Sequence, residues 1–194
     1  MACFDGPYTR QLTAIVQRSG PLISALKTAR RLGLSDWCIG AGAVRNLVWD
    51  ALHGLTNPIA PADIDLAYFD ATDLSAERDR ALQAQLAAWQ PDVPWEVVNQ
   101  AAVHLWYGQA FGRTVPPLHS LEEALATWPE YATCVGVRLR ADETIEVIAP
   151  HGLDDLFGLV VRHNPVRASA QMYRQRMAQK RFQDRWPRLR ITGP

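Results

Sequence analysis

The chain has 194 residues, a formal net charge of zero and 48% apolar residues. That is about one domain of chain with enough apolar surface for a single core, which excludes global disorder. No apolar run approaches the roughly 20 residues that a membrane-spanning helix requires, and residues 1–10, with Asp5 and Pro7, lack the basic-then-apolar order of a secretory leader.

Cys3, Cys38 and Cys134 are odd in number and far apart, with no C-x-x-C. This pattern excludes a disulfide framework and a zinc cage, and a reducing cytoplasm is the simplest compartment for it. The zero net charge hides an asymmetry. Residues 1–159 carry 11 Lys+Arg against 19 Asp+Glu, whereas residues 160–194 carry nine against one, Asp184. Such a basic end points either to a polyanion partner or to packing of the tail on an acidic body.

In chain order, residues 8–33 place Leu12, Ile15, Val16, Leu22, Ile23, Leu26, Ala29 and Leu32 at helical spacing. Ser19-Gly20-Pro21 divides this stretch into two helices, with Ser19 as a cap. Trp37-Cys38-Ile39 is a short strand running into a glycine turn, and residues 43–52 form a helix. A loop with two prolines at 57–61 precedes a strand at 63–69. Asp70 to Ser75 supplies turn chemistry, residues 76–89 a helix, and residues 95–98 a third strand. A helix through Ala101 to Leu105 follows, then a capping box at Ser120-Leu121-Glu122-Glu123. Residues 133–149 read as a hairpin, 153–157 as a short helix, and about 168–182 as a basic helix. The fold class is α+β (mixed α/β): one small mixed sheet flanked by helices, with a basic C-terminal helix. The expected organisation is a single domain, with N-terminal helices at 8–33, a sheet-containing core at 36–162 and a basic tail at 163–194.

Two features carry chemistry. Gly40-Ala41-Gly42 lies between a strand and a helix, where small residues let a ligand approach and the helix N-terminus offers free amides. Asp63-Ile64-Asp65 lies on a strand, so both carboxylates share one face while Ile64 and Leu66 enter the core. Two adjacent anions repel unless a cation lies between them, and hard oxygen ligands suit Mg²⁺. Two-metal phosphoryl chemistry calls for a third carboxylate. Glu96 on the next strand is the best candidate, and Asp70 is the second, although it reads more naturally as a turn or cap. The spacing of Gly40, Gly42 and Asp63 also touches a dinucleotide-binding fingerprint, but Arg45 stands where a third small residue is required. A P-loop is excluded, because no Gly-Lys-Ser/Thr occurs.

At these residues the sequence resembles the polymerase-β-type nucleotidyltransferase superfamily. Ala41-Gly42-Ala43-Val44-Arg45-Asn46 stands on the G-G-x-V-R-D turn of bacterial CCA-adding enzymes and poly(A) polymerases, and Asp63-Ile64-Asp65 on their Asp-x-Asp. This likeness covers about residues 36–70. Across the remaining length the chain is similar to a bacterial nucleotidyltransferase-like family, through the stretch from Trp95 to Ala101 with His104, Trp128 to Thr133, Ala149 to Leu156, and Lys180 to Leu189. Two departures stand out: Ala41 replaces the first glycine of the doublet and Asn46 replaces the acid.

The resemblance implies a magnesium-dependent enzyme (Mg²⁺, with Mn²⁺ as a substitute) that moves a nucleoside monophosphate from an NTP to an acceptor hydroxyl and releases pyrophosphate. Asp63, Asp65 and Glu96 would be its catalytic and metal residues, and Gly40, Ala41, Gly42, Arg45 and Asn46 its phosphate turn. RNA, protein and small-molecule acceptors all stay open. The alternative, motivated by Ala41 and Asn46, is a non-catalytic nucleotide- or RNA-binding protein on the same fold. His104 reads as a helix histidine, Asn99 as a cap or a base contact along with Gln100, and His151 and Asp154 as structural.

Overall fold

A computed structural model describes residues 6–56 and 63–194; Cys3 and the loop expected at 57–61 lie outside these. The chain begins with α1 (Pro7–Arg18) and α2 (Gly20–Arg30), separated at Ser19, whose hydroxyl accepts the Leu22 N–H. β1 (Trp37–Gly40) runs without a loop into α3 (Ala41–Leu52). β2 (Ile64–Tyr68), α4 (Ala76–Trp89) and β3 (Trp95–Asn99) form a parallel crossover unit. A 3₁₀ turn leads into α5 (Val103–Phe111), followed by α6 (Leu121–Leu125). β4 (Gly136–Leu139) and β5 (Ile145–Ile148) make the expected hairpin. The chain closes with α7 (Asp154–Phe157), β6 (Val160–Arg162), α8 (Ala170–Lys180), α9 (Phe182–Arg185) and β7 (Arg190–Thr192).

The main sheet has the order β3-β2-β1-β4-β5, with only the β2–β3 pair parallel. Alternation along the strands sorts its two faces. Trp37, Ile39, Ile64, Leu66, Trp95, Val97, Val137 and Leu139 join the large core, which includes Leu12, Val16, Leu26, Val44, Val48 and Leu86 from α1 to α4. On the other face Cys38 and Ala67 pack on Leu121 and Leu125 of α6. Cys38 and Cys134 are free thiols, and burial pushes the Cys134 thiol up to about 12.

Two details differ from the sequence reading. A second, two-stranded parallel sheet joins β6 to β7; three-residue strands carry too few positions for an alternating pattern to show. The expected basic helix is shorter and broken, because Arg181 adopts a left-handed φ of 45° between α8 and α9. The tail is tied to the body. Arg185 Nε and Nη2 donate to the Asp50 carboxylate at 3.0 and 2.8 Å, Trp186 Nε1 donates to it at 2.8 Å, and the Tyr173 hydroxyl lies 2.9 Å from the Val161 carbonyl and 2.8 Å from that of Thr192. No helix among the described residues is long and apolar enough to cross a membrane.

Candidate active site

A cleft of about 760 Å³ opens along the α6-side face of β2 and β3, between α5 and α8. Asp63 immediately precedes β2 and Asp65 lies within it; Glu96 stands opposite Asp65 in the parallel register. All three line the cleft. Burial, then Asp63, then Glu96 push the Asp65 carboxyl up to about 6, against the opposing pull of Arg45 and Arg176. Asp70 is carried to the other end of β2. There it accepts the Thr72 N–H at 2.9 Å and pairs with Arg78 at 2.9 Å, beside a separate cavity of about 350 Å³. Of the two candidates for a third carboxylate, the fold brings Glu96 to the pair and takes Asp70 away.

Among the described residues, no three His, Cys, Asp or Glu side chains form a group able to hold a metal ion alone. The Asp63–Asp65 pair nevertheless fits a hard divalent ion, which is commonly bound through one or two carboxylates plus substrate phosphates. Asp63 and Glu96 both raise the proton affinity of Asp65, and a bound cation would oppose that effect.

The glycine turn is tighter than expected. Gly40 caps α3, and a Cβ there would lie 2.7 Å from the Trp128 ring and 2.9 Å from the Val135 carbonyl, so its glycine is required by packing. Ala41 opens the helix in a left-handed conformation, φ 47°, and its N–H is spent on the Val135 carbonyl at 3.1 Å. Gly42 faces the carboxylates: its missing Cβ would lie 3.9 Å from Asp63 Oδ1. The remaining first-turn amides have no intrahelical partner and end the helix dipole at the cleft.

Arg45 lines the cleft but is only 3% exposed. Its Nε and Nη2 donate to Asn46 Oδ1 at 3.2 and 3.0 Å and its Nη1 to Thr133 Oγ1 at 3.0 Å; Nη1 lies 4.0 Å from Glu130. Burial lowers its pKa to about 10. Arg45 and Asn46 therefore brace the turn from behind. Glu130, with no exposed surface, also accepts from Thr133 Oγ1 at 2.8 Å and pairs with Arg176 of α8. The sequence reading missed this Glu130–Arg176 link, since nothing in Trp-Pro-Glu-Tyr distinguishes a buried Glu from an exposed one.

The other singled-out residues divide cleanly. Asn99 is a brace: Oδ1 accepts from the N–H groups of Asp70 and Ala101, and Nδ2 donates to the carbonyls of Asp70 and Asp73. Gln100 lines the cleft. His104 Nδ1 contacts the Ala101 carbonyl and His151 Nε2 that of Ala126, both as helix and loop supports, while Asp154 opens α7. Of the basic tail, Arg167, Arg176 and Lys180 reach the cleft wall.

A family model described as Nucleotidyltransferase matches residues 27–191. Among solved structures, one described as an NMR structure that reveals a CCA-adding enzyme head domain is 28% identical with a TM-score of 0.80, covering 95% of this chain and 96% of that one. A tRNA-processing enzyme in an apo form is 18% identical with a TM-score of 0.52 over 88% of this chain and 42% of that chain. A CCA-adding enzyme in complex with CTP is 14% identical with a TM-score of 0.52, over 95% and 43%. The chain thus spans less than half the length of these two longer proteins, and at these identities they speak for the fold alone. A search of curated proteins gave no match.

Proposed function

Because the chain belongs to the nucleotidyltransferase family, we propose that it moves a nucleoside monophosphate from an NTP to an acceptor hydroxyl in a reaction that requires a divalent cation. The observation that carries this reading is the Asp63–Asp65 pair with Glu96 across the register in one cleft. Asp63 and Asp65, with Glu96 and the substrate phosphates, would hold Mg²⁺ or Mn²⁺, which would supply charge neutralisation at the triphosphate. The first turn of α3, at Gly42, receives the phosphates through its amides and dipole. Glu96 takes the proton of the acceptor hydroxyl. The acceptor oxygen bonds to the α-phosphorus, the bond from that phosphorus to the bridging oxygen breaks, and pyrophosphate leaves with that electron pair. The chain's share of catalysis is positioning.

We take residues 8–33, 36–162 and 163–194 as a single working domain, supported by the Asp50–Arg185 and Glu130–Arg176 pairs. The two buried free thiols suit a reducing cytoplasm. An RNA end, a protein hydroxyl and a small molecule are the acceptor classes. Cleft-facing Arg176 and Lys180 are what the tail offers a polyanion.

A second reading, nucleotide binding without turnover, is favoured by Asn46, a neutral amide spent on Arg45 where related turns carry an acid. One assay separates the two. Label from each α-³²P-NTP is followed into a cell extract with Mg²⁺ or Mn²⁺, wild type beside an Asp63→Asn/Asp65→Asn variant. Aspartate-dependent label is expected, and its partition among RNA, protein and small molecules names the acceptor class. Its absence, from folded protein that binds the metal–NTP complex, transfers the conclusion to the binding reading.

A further inference from the structure

The cleft has an acidic end and a second end of different chemistry. From α5, Trp106 (42% exposed) and Phe111 (47% exposed) present aromatic surface to solvent, and Tyr107 links them with ring centroids 6.2 and 4.6 Å away. Aromatic surface left open on a soluble fold beside a concave wall marks a place for a flat partner. Behind these rings lies Arg167, 6% exposed, with its guanidinium 5.7 Å from the Tyr107 ring. Its Nη2 donates to the Pro116 carbonyl at 2.7 Å, but Nη1 is buried with no hydrogen-bond partner. Among the described residues Arg167 has no ion pair, and Arg113 adds a second positive charge nearby against Glu123. A buried guanidinium with an unspent donor is costly, and an entering oxyanion relieves that cost. Nη1 has almost no exposed area, so pairing with an oxyanion requires a local shift of the cleft wall at Arg167.

We propose that this end of the cleft is the acceptor subsite, and that it takes a small planar molecule whose carboxylate or phosphate group pairs with Arg167 while its ring lies against Trp106 and Phe111. The word acceptor rests on the transferase reading; the subsite is tested by binding alone. The cleft volume of about 760 Å³ is in the range for small ligands.

The probes are phenyl phosphate, benzoate, benzyl alcohol and inorganic phosphate, titrated by calorimetry into the whole chain. Phenyl phosphate or benzoate is expected to bind, the tighter of the two naming the oxyanion, with benzyl alcohol and inorganic phosphate at least tenfold weaker. Arg167→Met is expected to weaken the anionic probe by about 10–100-fold. Trp106→Ala, a change at an exposed residue, is expected to weaken it by about tenfold and carries the test should Arg167→Met fail to fold. The Asp63→Asn/Asp65→Asn variant should bind the probe at least as tightly as wild type, so loss of transfer and loss of this subsite are read separately. Equal binding of benzyl alcohol, no binding of either anion, full affinity in a folded Arg167→Met or in Trp106→Ala, or competitive displacement by ATP or CTP would each overturn the proposal; the last would give Arg167 to the nucleotide's own phosphates.

Discussion

Asp65 on β2 stands directly across from Glu96 on β3, and burial, Asp63 and then Glu96 oppose the ionisation of Asp65. The native carboxyl of Asp65 is raised from 3.8 to about 6, so the folded state holds that proton more tightly than the unfolded chain. Stability contributed by the protonated form is present below about pH 4 and is lost as pH rises to about 6. Asp65→Asn removes this penalty. Thermal melts at pH 8 should show the variant more stable by about 1–3 kcal/mol, with the gain gone at pH 4. An equal gain at both pH values would refute the electrostatic account.

Ala41 holds a left-handed φ of 47° at the first position of α3. A residue with a Cβ is disfavoured there by about 1–2 kcal/mol, partly offset by the lower unfolded-state entropy of alanine. Ala41→Gly should raise stability by up to about 1 kcal/mol, a melting shift of about 2–4 °C at this chain length. The variant also recreates the glycine doublet of the resembled turn, so labelling by α-³²P-NTP should be retained or increased.

The neighbouring glycine behaves oppositely. Gly40 has an ordinary extended φ of −142°, but its face is closed by Trp128 and the Val135 carbonyl. Gly40→Ala should cost about 1–3 kcal/mol by overpacking. Adding Trp128→Leu should recover part of the loss in a chemical-denaturation series, because it removes the ring that the new methyl meets.

Glu130 is compensated from two elements, by Arg176 of α8 and by Arg45 of α3. Arg176→Met leaves a buried carboxylate short of its nearest cation and should cost about 3 kcal/mol. Glu130→Gln in the same chain should cost less than the sum of the two single changes, since neutralising the acid removes what the arginine was answering. Additive losses in denaturation midpoints would mean that the pair is not coupled.

Much of this was legible in the sequence where short-range pattern governs. The helical spacing of residues 8–33, the alternation around Ile64 and Leu66, and the cap at Ser19 each depend on neighbours a few positions away. Asp63 and Asp65 were visible for the same reason. Glu96 required one more step, the parallel register of β2 and β3, and that register holds Asp65 to Glu96. The resemblance supplied the turn, but not that Ala41 spends its amide on Val135 or that Arg45 is buried. Arg167 and Glu130 were illegible: each acquires its meaning from groups more than 40 residues distant, Pro116 and Arg176 respectively. β6 and β7, about 30 residues apart, match each other over only three positions.

The Glu130 pairing also bears on how this molecule can vary over evolutionary time. A negative charge sealed between the turn that opens α3 and helix α8 makes positions 45, 130 and 176 a single heritable unit. Drift at any one of them alone exposes the other two to an unbalanced interior. In a set of related chains these three positions should change together or not at all, while the exposed Glu77–Arg80 pair of α4 carries no such constraint.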